Sequence, residues 1–139
     1  MNSSHAIVAA LNSLKPGSDW EQRQNEIADL IEASEESQEI VQNVLQLFER
    51  YPEADFGSPG PLAHSIERFY GRGYEDQLLA SLGRTPTPLT LWLANRIINA
   101  GDHNRRRFLT ILGSIGDRTD LLPLTAEEAR RFLRLQNAG

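Results

Sequence analysis

The stretch that decides the fold is Asp55–Asn99, DFGSPGPLAHSIERFYGRGYEDQLLASLGRTPTPLTLWLANRIIN. Short apolar-periodic segments alternate here with glycine and proline. Pro61 suits the first turn of a helix, where a missing N–H is harmless. Leu62, Ile66, Phe69 and Tyr70 then recur at helical spacing, and Gly71 and Gly73 are read as ending the run. Tyr74 to Leu82 predicts a further short helix closed by Gly83. Thr87 reads as an N-cap with Pro88 at the first helical position. Leu89, Leu93, Ala94, Ile97 and Ile98 give that helix its core face, and Gly101 closes it. Such punctuation spells several short helices joined by fixed corners, and nothing in it resembles a reaction centre.

Outside this stretch the same reading continues. Residues 4–14 predict an opening helix, stopped by Pro16-Gly17. Ser18 and Glu21 match a capping box ahead of the stripe Trp20, Ile27, Leu30 and Ile31. Ser34–Ser37 reads as a break, with one continuous helix as the alternative. From Gln38 to Tyr51, Ile40, Val44, Leu47, Phe48 and Tyr51 form one broad apolar face, widened by Val41 and Leu45. Pro52 stops that helix, and Phe56 is the expected buried anchor of the loop that follows. Asp102 is read as the cap of a helix carrying Phe108, Leu109, Ile111, Leu112 and Ile115. A second capping box, Thr125 to Glu128, opens the last helix, which buries Leu124, Phe132 and either Leu133 or Leu135.

The alternation that a half-buried strand needs is absent. The expected fold is therefore all-α: a single domain over residues 1–139, built as an irregular α-solenoid of about eight helices, with HEAT-like antiparallel pairs stacked in turn. A chain of 139 residues is long enough for one real core. No exact repeat is present.

Composition narrows the function. There is no cysteine, which removes disulfides, thiolate zinc sites and thiol catalysis and suits a reducing cytoplasm. The N-terminus, MNSSHAIVAALNSLKPG, lacks a basic leader and breaks its apolar run at Asn12 and Ser13, so neither a signal peptide nor a membrane span is expected. No Gly-rich loop matches a phosphate cradle and no serine stands in a nucleophile elbow. His5, His64 and His103 are not spaced as a metal pair, and His64 is expected to be packed or capping. Paired carboxylates such as Glu75-Asp76 fall on helix surfaces, where nothing argues for the burial that general acid–base work needs. No catalytic residue, cofactor or metal is assigned, and no enzymatic role is expected.

Charge is the remaining signal. The net charge of −5 hides a split: residues 1–60 hold eleven acids and three bases, residues 61–139 eight acids and eleven bases. Arg105-Arg106-Arg107 is the one basic run. Its members point about 100° apart on a helix, so they make no single patch, even if Arg96 and Arg118 lie near. With a pI near 5.2 nucleic acid is not an expected ligand. The acidic residues Asp29, Glu32, Glu35, Glu36 and Glu39 are either a solvated helix face or a docking face for a basic partner. Trp92, Asn95, Arg96 and Asn99 lie at i, i+3, i+4 and i+7. They read either as an interface hot spot or as internal glue that ties down corner carbonyls around 56–60 or 83–87; glue is favoured, because this helix is the most apolar.

Three pieces carry a resemblance: FGSPGPL at 56–62, ERFYGRGY at 67–74, and the TPxTxWxxNRIIN pattern from Thr87 to Asn99. Over about a third of the chain the sequence resembles small HEAT-like all-helical immunity proteins of bacterial polymorphic and contact-dependent toxin systems. The resemblance implies a protein that neutralises a cognate secreted toxin by stoichiometric binding, with toxin contacts outside the matching motifs, on the acidic first half. A basic, nuclease-like toxin would suit an acidic face that mimics or blocks nucleic acid. The alternative is a helical-repeat adaptor for a housekeeping protein or peptide.

Overall fold

The computed structural model describes residues 3–35, 38–57, 59–118, 120 and 123–138. Among these there are eight helices and no strand, so the chain is all-α. The helices are α1 (Ser3–Ser13), α2 (Trp20–Glu32), α3 (Gln38–Arg50), α4 (Pro61–Glu67), α5 (Tyr74–Arg84), α6 (Pro88–Ala100), α7 (Arg105–Gly116) and α8 (Pro123–Ala138). They form two compact units, Met1–Gln77 and Leu78–Gly139, with the boundary inside α5.

In the first unit α1 packs on α3, α2 on α4, and α3 also on α4. The expected face of α3 is the one that packs: Ile40, Val44, Leu47 and Phe48 are fully buried, as are Val41 and Leu45. Phe56 is buried as the anchor of its loop. Its ring lies 4.7 Å from that of Phe48 and 5.2 Å from that of Trp20, edge-on or tilted, the geometry aromatic pairs prefer. Tyr51 meets Trp20 edge-on at 5.9 Å, which completes an aromatic cluster. In the second unit α7 packs on α8, and α6 on both. Phe108, Leu112, Ile115, Ala129 and Phe132 fill that core with Leu91, Leu93, Ala94 and Ile98.

Several local expectations shift, each for a physical reason. A turn closed by the Trp20 N–H on the Gly17 carbonyl delays the start of α2 by one residue. Asp19 becomes its N-cap without a side-chain cap bond, Glu21 leaves the N3 position, and the Ser18–Glu21 capping box does not form. Leu30 is 51% exposed rather than part of the stripe. The inward face of α2 is Trp20, Gln24, Ile27, Ala28 and Ile31, and Leu30 sits about 100° round the helix from Ile31. The chain leaves α4 at Glu67 and continues as tight i→i+3 turns through Phe69 and Tyr70, with Gly71 and Gly73 at positive φ. Gly83 does not close α5. The helix runs through it to Arg84, and the stop comes from Pro86, which has no N–H to extend the ladder. Asp102 accepts the Asn104 N–H at 2.9 Å in a turn, while the helix itself starts at Arg105. The last helix starts at Pro123, which places Thr125 inside its first turn rather than at its cap. Leu135 is 57% exposed and Leu133 half-buried; the side chain of Leu124 lies outside those described.

The start of α6 forms as expected and adds one partner. The Thr90 N–H donates to Thr87 Oγ1 at 3.2 Å, and the Thr87 N–H donates to Thr90 Oγ1 at 2.9 Å. Both threonines are buried. Thr87→Val is expected to leave a buried N–H without an acceptor and to lower stability by about 1–2 kcal/mol in urea denaturation. Thr87→Ser keeps the acceptor and should stay within about 0.5 kcal/mol of the parent.

Candidate functional site

The unit boundary sharpens the charge split. Met1–Gln77 holds fourteen acids and five bases, a net −9; Leu78–Gly139 holds five acids and nine bases, a net +4. On the first unit Asp29 projects from the face of α2 opposite its buried residues, and Glu32 from the flank of that helix. Glu35 lies in the corner that follows, and Glu39 in the first turn of α3. All four are exposed, and among the described residues none of them forms an ion pair. Glu36 lies outside the described residues. Glu39 also sits where a carboxylate is favoured by the helix dipole.

The corner that carries these carboxylates is pinned from the 68–73 turn. Arg68 Nη2 donates to the carbonyls of Ile31 and Ser34. Arg72 Nη2 donates to the Glu35 carbonyl at 2.8 Å, and Gln77 Nε2 to the Gln38 carbonyl at 3.4 Å. The guanidinium of Arg68 also lies 4.2 Å from the centre of the Phe69 ring, inside the range of a cation–π contact. A helix end leaves carbonyls without intrahelical donors, and Arg68 and Arg72 supply donors to the end of α2 and to the corner beyond it. Two cations thus stand at an acidic corner, so its field is weaker than the count of carboxylates implies. Neither arginine is singled out by periodicity or spacing. The ERFYGRGY run was a fold motif on sequence grounds, but which carbonyls its arginines reach is not written in it.

In the second unit Trp92, Asn95, Arg96 and Asn99 share one side of α6. Trp92 and Asn95 are half-buried, Arg96 and Asn99 exposed. Gln136 Nε2 donates to Asn95 Oδ1 at 2.8 Å and to Asn99 Oδ1 at 2.7 Å. Arg105 Nη1 donates to Gln136 Oε1 at 3.1 Å and to the Ile98 carbonyl at 3.3 Å. The two asparagines therefore bond to a side chain of α8, and through it to α7, instead of to corner carbonyls. Arg96 lies over the Trp92 ring at 5.1 Å. Arg105, read from the sequence only as one member of the basic run, is a half-buried strut of this network. Arg118 pairs with Asp120 at 2.6 Å instead of extending the arginine run. The hydrogen-bonded guanidinium holds that exposed carboxyl below the usual carboxylate range.

All three histidines are exposed. His64, expected to be packed or capping, is exposed at the surface of α4 with its Nδ1 3.3 Å from Glu67 Oε1. No group of three His, Cys, Asp or Glu among the described residues is arranged to hold a metal ion, and no described helix is long and apolar enough to cross a membrane. No family model, curated protein or solved structure matches this chain. The resemblance to immunity proteins rests on its motifs alone.

Proposed function

We propose that this chain is an immunity protein, a stoichiometric inhibitor that binds a cognate secreted bacterial toxin through the acidic surface of its first unit. The observation that carries this reading is the −9 against +4 division of charge along the unit boundary, with Asp29, Glu32, Glu35 and Glu39 exposed and without ion-pair partners among the described residues. A like-signed surface of this kind steers a basic partner and speeds association more than it deepens the complex. The pinned corner supports the same reading, because a surface held in place loses less conformational entropy on binding. A partner with a basic nucleic-acid cleft fits best, and binding there blocks the cleft without any chemistry by the inhibitor.

The test is co-purification with the product of the adjacent gene, followed by protection from the growth arrest that product causes. Combined Asp29→Lys, Glu32→Lys and Glu35→Lys should slow association about 10- to 100-fold at low salt. The difference should shrink toward 1 M salt, where screening acts over about 3 Å. Unchanged association with unchanged salt dependence would remove the acidic surface from the interface.

A further inference from the structure

A cleft of about 390 Å³ opens in the first unit between the start of α2 and the 55–57 corner. Trp20, Glu21, Gln24 and Asn25 line it from α2, and Asp55 and Phe56 from the corner. Its volume falls in the range of small-ligand sites.

Gln24 is the unusual member, because it is only 3% exposed. Its Nε2 donates to the Asp55 carbonyl at a long 3.4 Å, and the Trp20 Nε1–H donates to the same carbonyl at 2.6 Å. Gln24 Oε1 is buried and has no hydrogen-bond partner among the described residues. Exchanging the amide oxygen and nitrogen does not cure this. It would place an oxygen against the Asp55 carbonyl, two acceptors facing each other. The group therefore waits for a donor.

The rest of the cleft asks for the same thing. Glu21 and Asp55 contribute two carboxylates, and no lysine or arginine is among the described lining residues. Asp55 Oδ1 is held in place by the Gly57 N–H at 2.9 Å. Asn25 Nδ2 is engaged with the Glu21 carbonyl at 3.1 Å, which leaves its amide oxygen as a further acceptor. Two anions, two amide oxygens and the aromatic walls of Trp20 and Phe56 match a flat cation rich in donors. A guanidinium has five N–H donors in one plane, no acceptor, and weaker hydration than an ammonium.

We infer that this cleft binds a guanidinium group. A turn about the soft terminal torsion of Gln24 presents Oε1 to one N–H, while Glu21 and Asp55 take the charge. The site requires only the cleft, and it stands whether or not a toxin is the partner. The guanidinium is carried either by a free guanidino compound or by an arginine of a bound protein.

Titration followed by proton–nitrogen correlation spectra tests this with three probes: Nα-acetyl-arginine amide, its neutral citrulline analogue, and n-butylguanidine. The arginine probe should bind with a Kd of about 1 mM. It should shift the Trp20 indole N–H and the amides of residues 17–25 and 55–57. The citrulline probe should bind at least about tenfold more weakly, since it lacks the charge. Glu21→Gln should weaken the arginine probe about tenfold. Gln24→Met keeps the volume, removes the waiting acceptor, and should also weaken it while the melting curve shows a folded chain. Tighter binding of n-butylguanidine than of the arginine probe assigns a free compound; the reverse order assigns a protein side chain. No shifts at the cleft, equal shifts from citrulline, or shifts untouched by Glu21→Gln and Asp55→Asn each overturn the assignment.

Discussion

Gly60→Ala is expected to destabilise the first unit by about 4 kcal/mol or more, enough to leave a marginal domain largely unfolded. Gly60 has φ +96°, and a Cβ built on it would fall 1.5 Å from the Phe56 carbonyl oxygen and 2.6 Å from its carbon. Those are backbone atoms, so no side chain can move aside. The substituted chain has to open the 55–60 corner. That opening withdraws Phe56 from Trp20 and Phe48, and it breaks the start of α4, where the His64 N–H donates to the Gly60 carbonyl at 3.2 Å. Gly71→Ala is the control. Its φ is +82°, yet nothing lies within 4 Å of the added Cβ. Only the left-handed backbone term remains, about 1–2 kcal/mol. Guanidinium chloride denaturation of the two variants separates steric exclusion from conformational preference. Near-equal midpoints would mean that the corner has room the structure does not show.

Arg68→Met is the second large effect, an expected loss of about 2–4 kcal/mol. The variant keeps most of the aliphatic stem over Phe69 and removes both donors to the Ile31 and Ser34 carbonyls. Ser34 is buried, so water reaches its carbonyl poorly. Arg68 itself is exposed, which places the expected value toward the lower figure. Arg68→Lys should recover less than half, because a strongly hydrated ammonium on a flexible stem lacks the planar guanidinium that aims both Nη2 hydrogens and stacks on Phe69. Amide hydrogen exchange at residues 31–35 and 38–41 should accelerate in Arg68→Met well before the rest of the unit. Stability within about 0.5 kcal/mol of the parent, the range of a surface substitution, would show that the corner holds without its clamp. If a toxin binds the acidic surface as proposed, the loosened corner should raise the dissociation rate and leave the salt dependence of association alone.

The helices of this protein are legible because their signals are local. Pro52, Pro61, Pro88 and Gly101 act through their own backbone, and α3 buries the face that its 3.6-residue period marks. Thr87 was readable as a cap for the same reason. The capping boxes at Ser18 and Thr125 show the limit of such signals. A pattern of side chains specifies a cap only if the first helical residue is fixed, and a turn at Gly17–Trp20 or a proline at 123 moves that residue. Leu30 shows the limit of periodicity. Trp20, Ile27, Leu30 and Ile31 all fit a helical stripe, but the inward direction was fixed by Trp20 reaching the Asp55 carbonyl, which left Leu30 in solvent.

The candidate surfaces divide in the same way. That the first half is acidic and the second basic is a property of composition, fixed before the chain folds. Which carboxylates share a surface depends on Arg68 and Arg72 reaching carbonyls more than thirty residues away. The partnership of Asn95 and Asn99 with Gln136, and the unsatisfied oxygen of Gln24, likewise arise from segments that meet only in the folded chain. Backbone preference and helical period act over a few residues and can be read along the chain. A hydrogen bond between distant segments depends on two positions and the space between them, and neither residue's identity announces it.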